Sequence, residues 1–185
     1  MKATGIVRRI DDLGRVVIPK EIRRTMRIRE GDPLEIYTDR EGEVIFKKYS
    51  PIGELAAFAG QYAETRHKTC GLSVAICDRD SVIACAGIPK KEFADRPLSD
   101  QLERIIEGRS LYTRTPDSDR FSLTGDTSSH FIRCAMPILS EGDLVGCVVS
   151  MQESSDSPET NAPVGDVEIK LIQTAAGFLG RQLDS

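Results

Sequence analysis

The first fifty residues constrain the chain most, because they alternate short strand-like runs with turns and hold very little with which to build a core. Gly5-Ile6-Val7-Arg8-Arg9-Ile10 reads as a strand that ends at Asp11-Asp12-Leu13-Gly14, a loop whose glycine can take positive φ. Arg15-Val16-Val17-Ile18 reads as a second, β-branched strand. Pro19 stops the ladder and can open a helix, since a first helical turn does not need its missing N–H. Glu21 to Met26 then makes about two turns, with Ile22 and Met26 on one face. After Gly31-Asp32, the runs Leu34–Tyr37 and Val44–Phe46 alternate about Asp39-Arg40-Glu41-Gly42, a hairpin pattern. A fold that buries Ile6, Val16, Val17, Ile18 and Ile22 has too little apolar surface to stand alone at this size. Intertwining with a second copy is the natural remedy.

The same segment is basic. Residues 1–29 hold nine basic and three acidic residues, whereas residues 51–185 carry a net charge of −7 within a chain of net −4. A basic segment on an acidic chain points to nucleic acid, and a membrane surface would also attract it. Arg8, Arg9, Arg15, Arg23, Arg24, Arg27 and Arg29 are interleaved with apolar residues, so burying the apolar set pushes the guanidiniums outward. A planar guanidinium suits phosphate and guanine because it donates two parallel hydrogen bonds and keeps its charge. The plainer reading of such residues is a solvated charged face. Their spread over strands argues against an amphipathic membrane helix.

The stretch from Lys2 to Thr25, with Leu13-Gly14-Arg15-Val16-Val17-Ile18-Pro19 at its centre and Arg23-Arg24-Thr25 after it, resembles the N-terminal domain of the AbrB family. The likeness continues through Gly31-Asp32-Pro33-Leu34-Glu35-Ile36 to Lys47-Lys48-Tyr49, about a quarter of the chain. It implies an α+β protein. Residues 1–50 would form a swapped-hairpin β-barrel, made by an intertwined dimer that binds double-stranded DNA. Residues 51–185 would form a GAF-like antiparallel sheet with flanking helices, as in the longer sporulation regulators of the family. The resemblance assigns DNA contact to Arg8, Arg15, Arg23 and Arg24, with Lys2 and Arg9 as further phosphate contacts and Lys20 and Arg27 as weaker ones. It also implies a homotetramer assembled through the C-terminal helices, and activation and repression of sporulation genes.

The second region carries its own periodicities. Ser50-Pro51 marks the boundary, and Leu55, Phe58, Ala59, Tyr62 and Ala63 share one helical face. Ser73–Cys77 and Val82–Ala86 flank a turn, as do Phe131–Leu139 and Leu144–Met151. Ser99 is a candidate N-cap for a helix bearing Leu102, Ile105 and Ile106. Ser154 to Pro163 reads as a loop. The helix from Val164 carries two apolar stripes, Val167/Leu171/Ala175/Phe178 and Ile172/Ala176/Leu179/Leu183, which suggests two packing partners. Arg96, Arg114, Arg120, Arg133 and His130 could meet an anionic effector, although ordinary surface placement is the plainer reading. Whether this domain senses a small molecule or serves only as an oligomerisation scaffold stays open.

Several classes are disfavoured. No apolar run approaches a membrane span and the N-terminus has no apolar signal core, so a cytoplasmic location without membrane attachment is expected. Five cysteines with no Cys-x-x-Cys pair, and only two histidines, give a metal site little to build on. Cys77, Cys85 and Cys147 lie in apolar runs and read as small core hydrophobes. His67 and His130 lie in no nucleophile or paired-carboxylate setting, so neither catalysis nor a cofactor is expected. An antitoxin shares the swapped-hairpin type of domain but pairs it with a disordered tail, unlike the periodic second region here.

Overall fold

A computed structural model describes residues 5–93, 96–125, 129–155 and 162–184. Lys2 and most of the run Ser154 to Pro163 lie outside the described residues. The chain divides into two units, Met1–Tyr49 and Ser50–Ser185.

In the first unit Pro19 stands at the N-cap of α1 (Lys20–Thr25), its carbonyl accepting from the Arg23 amide at 2.9 Å. Strands β1 (Leu34–Thr38) and β2 (Val44–Lys48) pair antiparallel, with Ile36 opposite Phe46. The Asp32 carboxylate is almost fully buried; it accepts from the Arg29 amide and lies 3.4 Å from the Lys48 ammonium. Lys48 also donates to the Arg27 carbonyl, so the end of α1 is fastened to the hairpin.

The two segments expected as strands, Gly5–Ile10 and Arg15–Ile18, form no ladder among the described residues. Nor does the chain bury the residues expected in the core. Val7 is 84% exposed, Val17 71% and Ile10 68%, Ile6 and Val16 are also exposed, and Ile18 and Ile22 are only half-buried. Among the described residues of this unit Pro19 alone is buried. The physical reason is that a strand needs a neighbour to satisfy its N–H and C=O groups, and this chain supplies none at that edge.

The second unit follows the opposite logic, with a sheet covered on both faces. Its elements are α2 (Pro51–Glu54), α3 (Ala56–Cys70), β3 (Ser73–Cys77), β4 (Val82–Ala86), α4 (Asp100–Glu107), β5 (Tyr112–Thr113), β6 (His130–Ser140), β7 (Asp143–Glu153) and α5 (Asp166–Leu183). The strands form one antiparallel sheet in the order β4-β3-β7-β6-β5. Side chains alternate between faces along a strand, and the core is divided accordingly. Val74, Ile76 and Val148 pack under α3 and α5 with Ala59, Ala63, Ile172, Ala176 and Leu179. Their neighbours Ala75, Cys77, Cys147 and Val149 face the other way, with Leu102 and Ile106 of α4.

The helix boundaries have local causes. The Ser50 hydroxyl accepts from the Gly53 amide at 3.1 Å and Pro51 opens α2, so the composition break is a capped helix start. Ser99 caps α4 through the Leu102 amide. A cluster of polar bonds fixes α5 to the sheet from the side. The Arg133 guanidinium on β6 meets Glu168 at 3.1–3.2 Å, and the Ser150 hydroxyl of β7 donates to the same carboxylate at 2.7 Å.

The second apolar stripe of α5 turns to the core and the first divides, Ala175 going with the buried set and Leu171 half-buried. Ile172, Ala175, Ala176 and Leu179 are buried, while Val167 is 72% exposed and Phe178 is exposed beside Phe58 and Tyr62. Of the three cysteines read as core residues, Cys77 and Cys147 are buried and Cys85 is half-buried. Burial pushes the thiols of Cys77 and Cys147 up. Among the described residues no helix is long and apolar enough to cross a membrane.

Candidate nucleic-acid interface

The geometry of the basic segment is set by a turn. Asp11 accepts through one carboxylate oxygen from the Leu13 amide at 3.0 Å and the Arg15 amide at 2.7 Å. Its own amide donates to the Arg15 carbonyl at 3.0 Å. The other carboxylate oxygen takes the Arg15 Nε proton at 2.8 Å. Gly14 lies at φ +76°, the left-handed region where a side chain would strain the backbone. The hydrogen bonds Asp11 takes from the Arg15 amide, the Arg15 guanidinium and the Leu13 amide hold its carboxyl below the ordinary carboxylate range.

The same construction recurs about thirty residues on, at the second hairpin turn. Asp39 accepts from the Glu41 amide at 3.0 Å and the Glu43 amide at 2.9 Å, and its own amide donates to the Glu43 carbonyl. Gly42 lies at φ +84°. The pattern Asp-x-x-Gly-x is therefore a hairpin turn in both places, and it closes a ladder only at the second. From the sequence alone Asp11 reads as part of a loop, with no role of its own. The repeated pattern is the signal that finds it.

Around this turn the matched arginines lie open. Arg8, Arg9 and Arg15 are exposed, and Arg8 donates to the neighbouring Val7 carbonyl. Because Arg15 donates a hydrogen bond to Asp11 through Nε–H, its two terminal amino groups are the pair that can grip a phosphate or a guanine edge. Arg23 and Arg24 are exposed on the last turn of α1, where positive charge complements the helix dipole. Lys20 and Arg27 are exposed as well, and Arg27 takes φ +52° where the helix ends. The unit thus presents cations on a turn and on a short helix beside uncovered apolar side chains.

Of the basic residues singled out in the second unit, Arg96 and Arg120 are exposed as expected, whereas Arg114, Arg133 and His130 depart from surface placement. Arg114 is buried, with 6% exposure, and Arg133 is enclosed by Glu168. The guanidiniums of Arg114 and Arg120 lie 5.2 and 4.9 Å from the centre of the Phe131 ring. His130, buried beside it, has its Nδ1 2.9 Å from the Ser129 hydroxyl. Arg96 is exposed.

Comparison with known proteins covers both units. The family model described as "Stage V sporulation protein T C-terminal, transcription factor" matches residues 54–184. The family model described as "Antidote-toxin recognition MazE, bacterial antitoxin" matches residues 7–53. Stage V sporulation protein T of Bacillus subtilis (strain 168) is 50% identical over 187 residues, covering 100% of this chain and 99% of its own. The transition state regulatory protein AbrB of the same organism is 65% identical over 51 residues, 28% of this chain and 52% of its own length. Among solved structures, the GAF domain of a phosphoenolpyruvate-protein phosphotransferase from Coxiella burnetii covers 70% of this chain and 82% of its own. It does so with a TM-score of 0.53 at 15% identity, which gives the second unit a GAF-type fold.

Proposed function

This chain belongs to the stage V sporulation protein T family of transcription factors, and from that premise we propose that its first unit binds double-stranded DNA as an intertwined dimer. The observation that carries the reading is the exposure, on one small unit, of both its arginines and its apolar side chains. Two hairpin turns with one ladder between them call for a second chain to pair with Gly5–Ile10 and Arg15–Ile18. Such pairing covers Val7, Ile10 and Val17 and leaves the guanidiniums outside.

Arg8, Arg15, Arg23 and Arg24 are then the DNA contacts, with Arg9 and Lys2 adding phosphate contacts. Docking is dominated by phosphate neutralisation, and sites are selected partly by DNA shape and flexibility. Val167 and Phe178, exposed on α5, with the half-buried Phe58 and Tyr62 of α3 beside Phe178, fit a second interface that joins two dimers into a homotetramer. The protein acts in the cytoplasm on sporulation genes, as activator and repressor, and catalyses no reaction. The second unit is regulatory, responding to a small molecule. An antitoxin role draws on the match over residues 7–53, but a covered sheet stands where an antitoxin carries a disordered tail.

The test is a salt titration of binding to promoter DNA. Arg23→Ala is expected to weaken binding and to reduce the slope of log K against log salt by about one for each phosphate that Arg23 neutralises. Unchanged affinity and slope would remove Arg23 from the interface.

A further inference from the structure

A cavity of about 380 Å³ opens in the second unit where the start of α4 meets the segment before β6. That volume lies in the range of small-molecule sites, which run from about 300 to 1,000 Å³. Its walls are fixed by backbone. The Ser99 amide donates to the Leu123 carbonyl at 2.8 Å, the Ser99 hydroxyl donates to the Ser122 carbonyl, and Leu98 bridges Thr124. The Ile132 amide donates to the Phe121 carbonyl at 2.9 Å, fastening the far wall to the sheet edge. A site held this way needs little reorganisation on binding.

Among the described lining residues the charge is one-signed. Arg120 and His130 line the cavity with Gln101, Thr124 and Ser154, and none of the described lining residues is a carboxylate. Phe121 and Phe131 supply apolar faces. Beneath the lining, the buried Arg114 guanidinium lies against the same Phe131 ring as Arg120, so a second positive charge stands within a low-dielectric wall. Arg120 itself is exposed, but the buried Arg114 charge acts on a ligand with less screening than a surface lysine would.

We propose that this cavity binds a small organic anion, its charge directed to Arg120 and His130 and its body against Phe121 and Phe131. The inference rests on the reading of the second unit as regulatory and names the site and the ligand class.

Benzoate is a suitable probe, having a carboxylate on a ring that can stack, and benzamide is its neutral control. Calorimetry on the full chain, at matched ionic strength, is expected to give one benzoate per chain and no comparable binding of benzamide. Arg120→Gln should weaken benzoate about tenfold or more while leaving DNA affinity intact. Arg120→Lys, which keeps a cation on Phe131, should retain binding within a few fold and guards against a folding defect. Equal binding of benzamide, no effect of Arg120→Gln, or no benzoate binding at millimolar concentration would each overturn the proposal. Loss of benzoate binding with Arg23→Ala would do so too, by locating the anion on the basic first unit. If benzoate binds and depends on Arg120 but DNA affinity does not change, the site stands and the regulatory reading falls.

Discussion

Asp11 shows how much a single side chain contributes to a binding surface it does not touch. Its carboxylate closes a five-residue turn and engages the Arg15 guanidinium through Nε. Asp11→Ala should therefore weaken DNA binding, by less than Arg15→Ala, and should have no further effect in a chain already carrying Arg15→Ala. A double-mutant cycle on DNA affinity checks this, and additive losses would mean that Asp11 acts independently of Arg15. The pH dependence has a definite sign. A carboxyl whose pKa is lowered by folding stabilises the turn fully above its ordinary pKa and loses that contribution as pH falls through the lowered value. Protection of the Leu13 and Arg15 amides from exchange is thus expected to hold from neutral pH to about 4 and to fail only below it.

The elements of the second unit are placed by close approach as well as by apolar stripes. At Gly180 on α5 an added Cβ would lie 2.2 Å from the Leu139 carbonyl oxygen of β6, a distance no packed side chain sustains. Gly180→Ala must push the helix off the sheet, and a loss of about 1–3 kcal/mol is expected by chemical denaturation. Gly177, one turn earlier on the same helix, has nothing within 4 Å of an added Cβ. Gly177→Ala should instead stabilise by roughly 0.5–1 kcal/mol, because alanine loses less backbone freedom in a helix. The two substitutions are chemically identical and differ only in what lies opposite, so opposite signs would establish the close approach at Gly180. Equal effects would show that helix propensity alone decides.

At the scale of the molecule, the two units face opposite problems. The second covers its sheet with its own helices, whereas the first leaves Val7, Ile10 and Val17 open within one chain. Val17→Asp makes the difference measurable. In a lone chain an exposed aspartate would cost almost nothing, but in an intertwined dimer it would be a buried unpaired charge. Sedimentation should show the assembly reduced and DNA binding abolished, with the circular dichroism of the second unit retained. Unaltered assembly and DNA affinity would rule out pairing at this edge.

The sequence by itself determined the local structure. Asp11 and Asp39, each three residues before a glycine, specify turns; Ser50-Pro51 and Ser99 specify helix starts; the apolar run Val74-Ala75-Ile76-Cys77 specifies a strand. These depend on interactions within a few residues, which composition and spacing encode. The likeness of Lys2 to Thr25 to the AbrB family likewise named the arginines before any geometry was known. Tertiary structure alone decided the rest. It buried Arg114 and stacked it with Arg120 on Phe131, joined Arg133 to Glu168 across 35 residues, and divided one stripe of α5 between buried Ala175 and exposed Val167. Each of those outcomes depends on which distant surface arrives opposite a side chain. For Gly5–Ile10 and Arg15–Ile18 that surface is absent among the described residues, so a strong strand pattern stands there without a ladder.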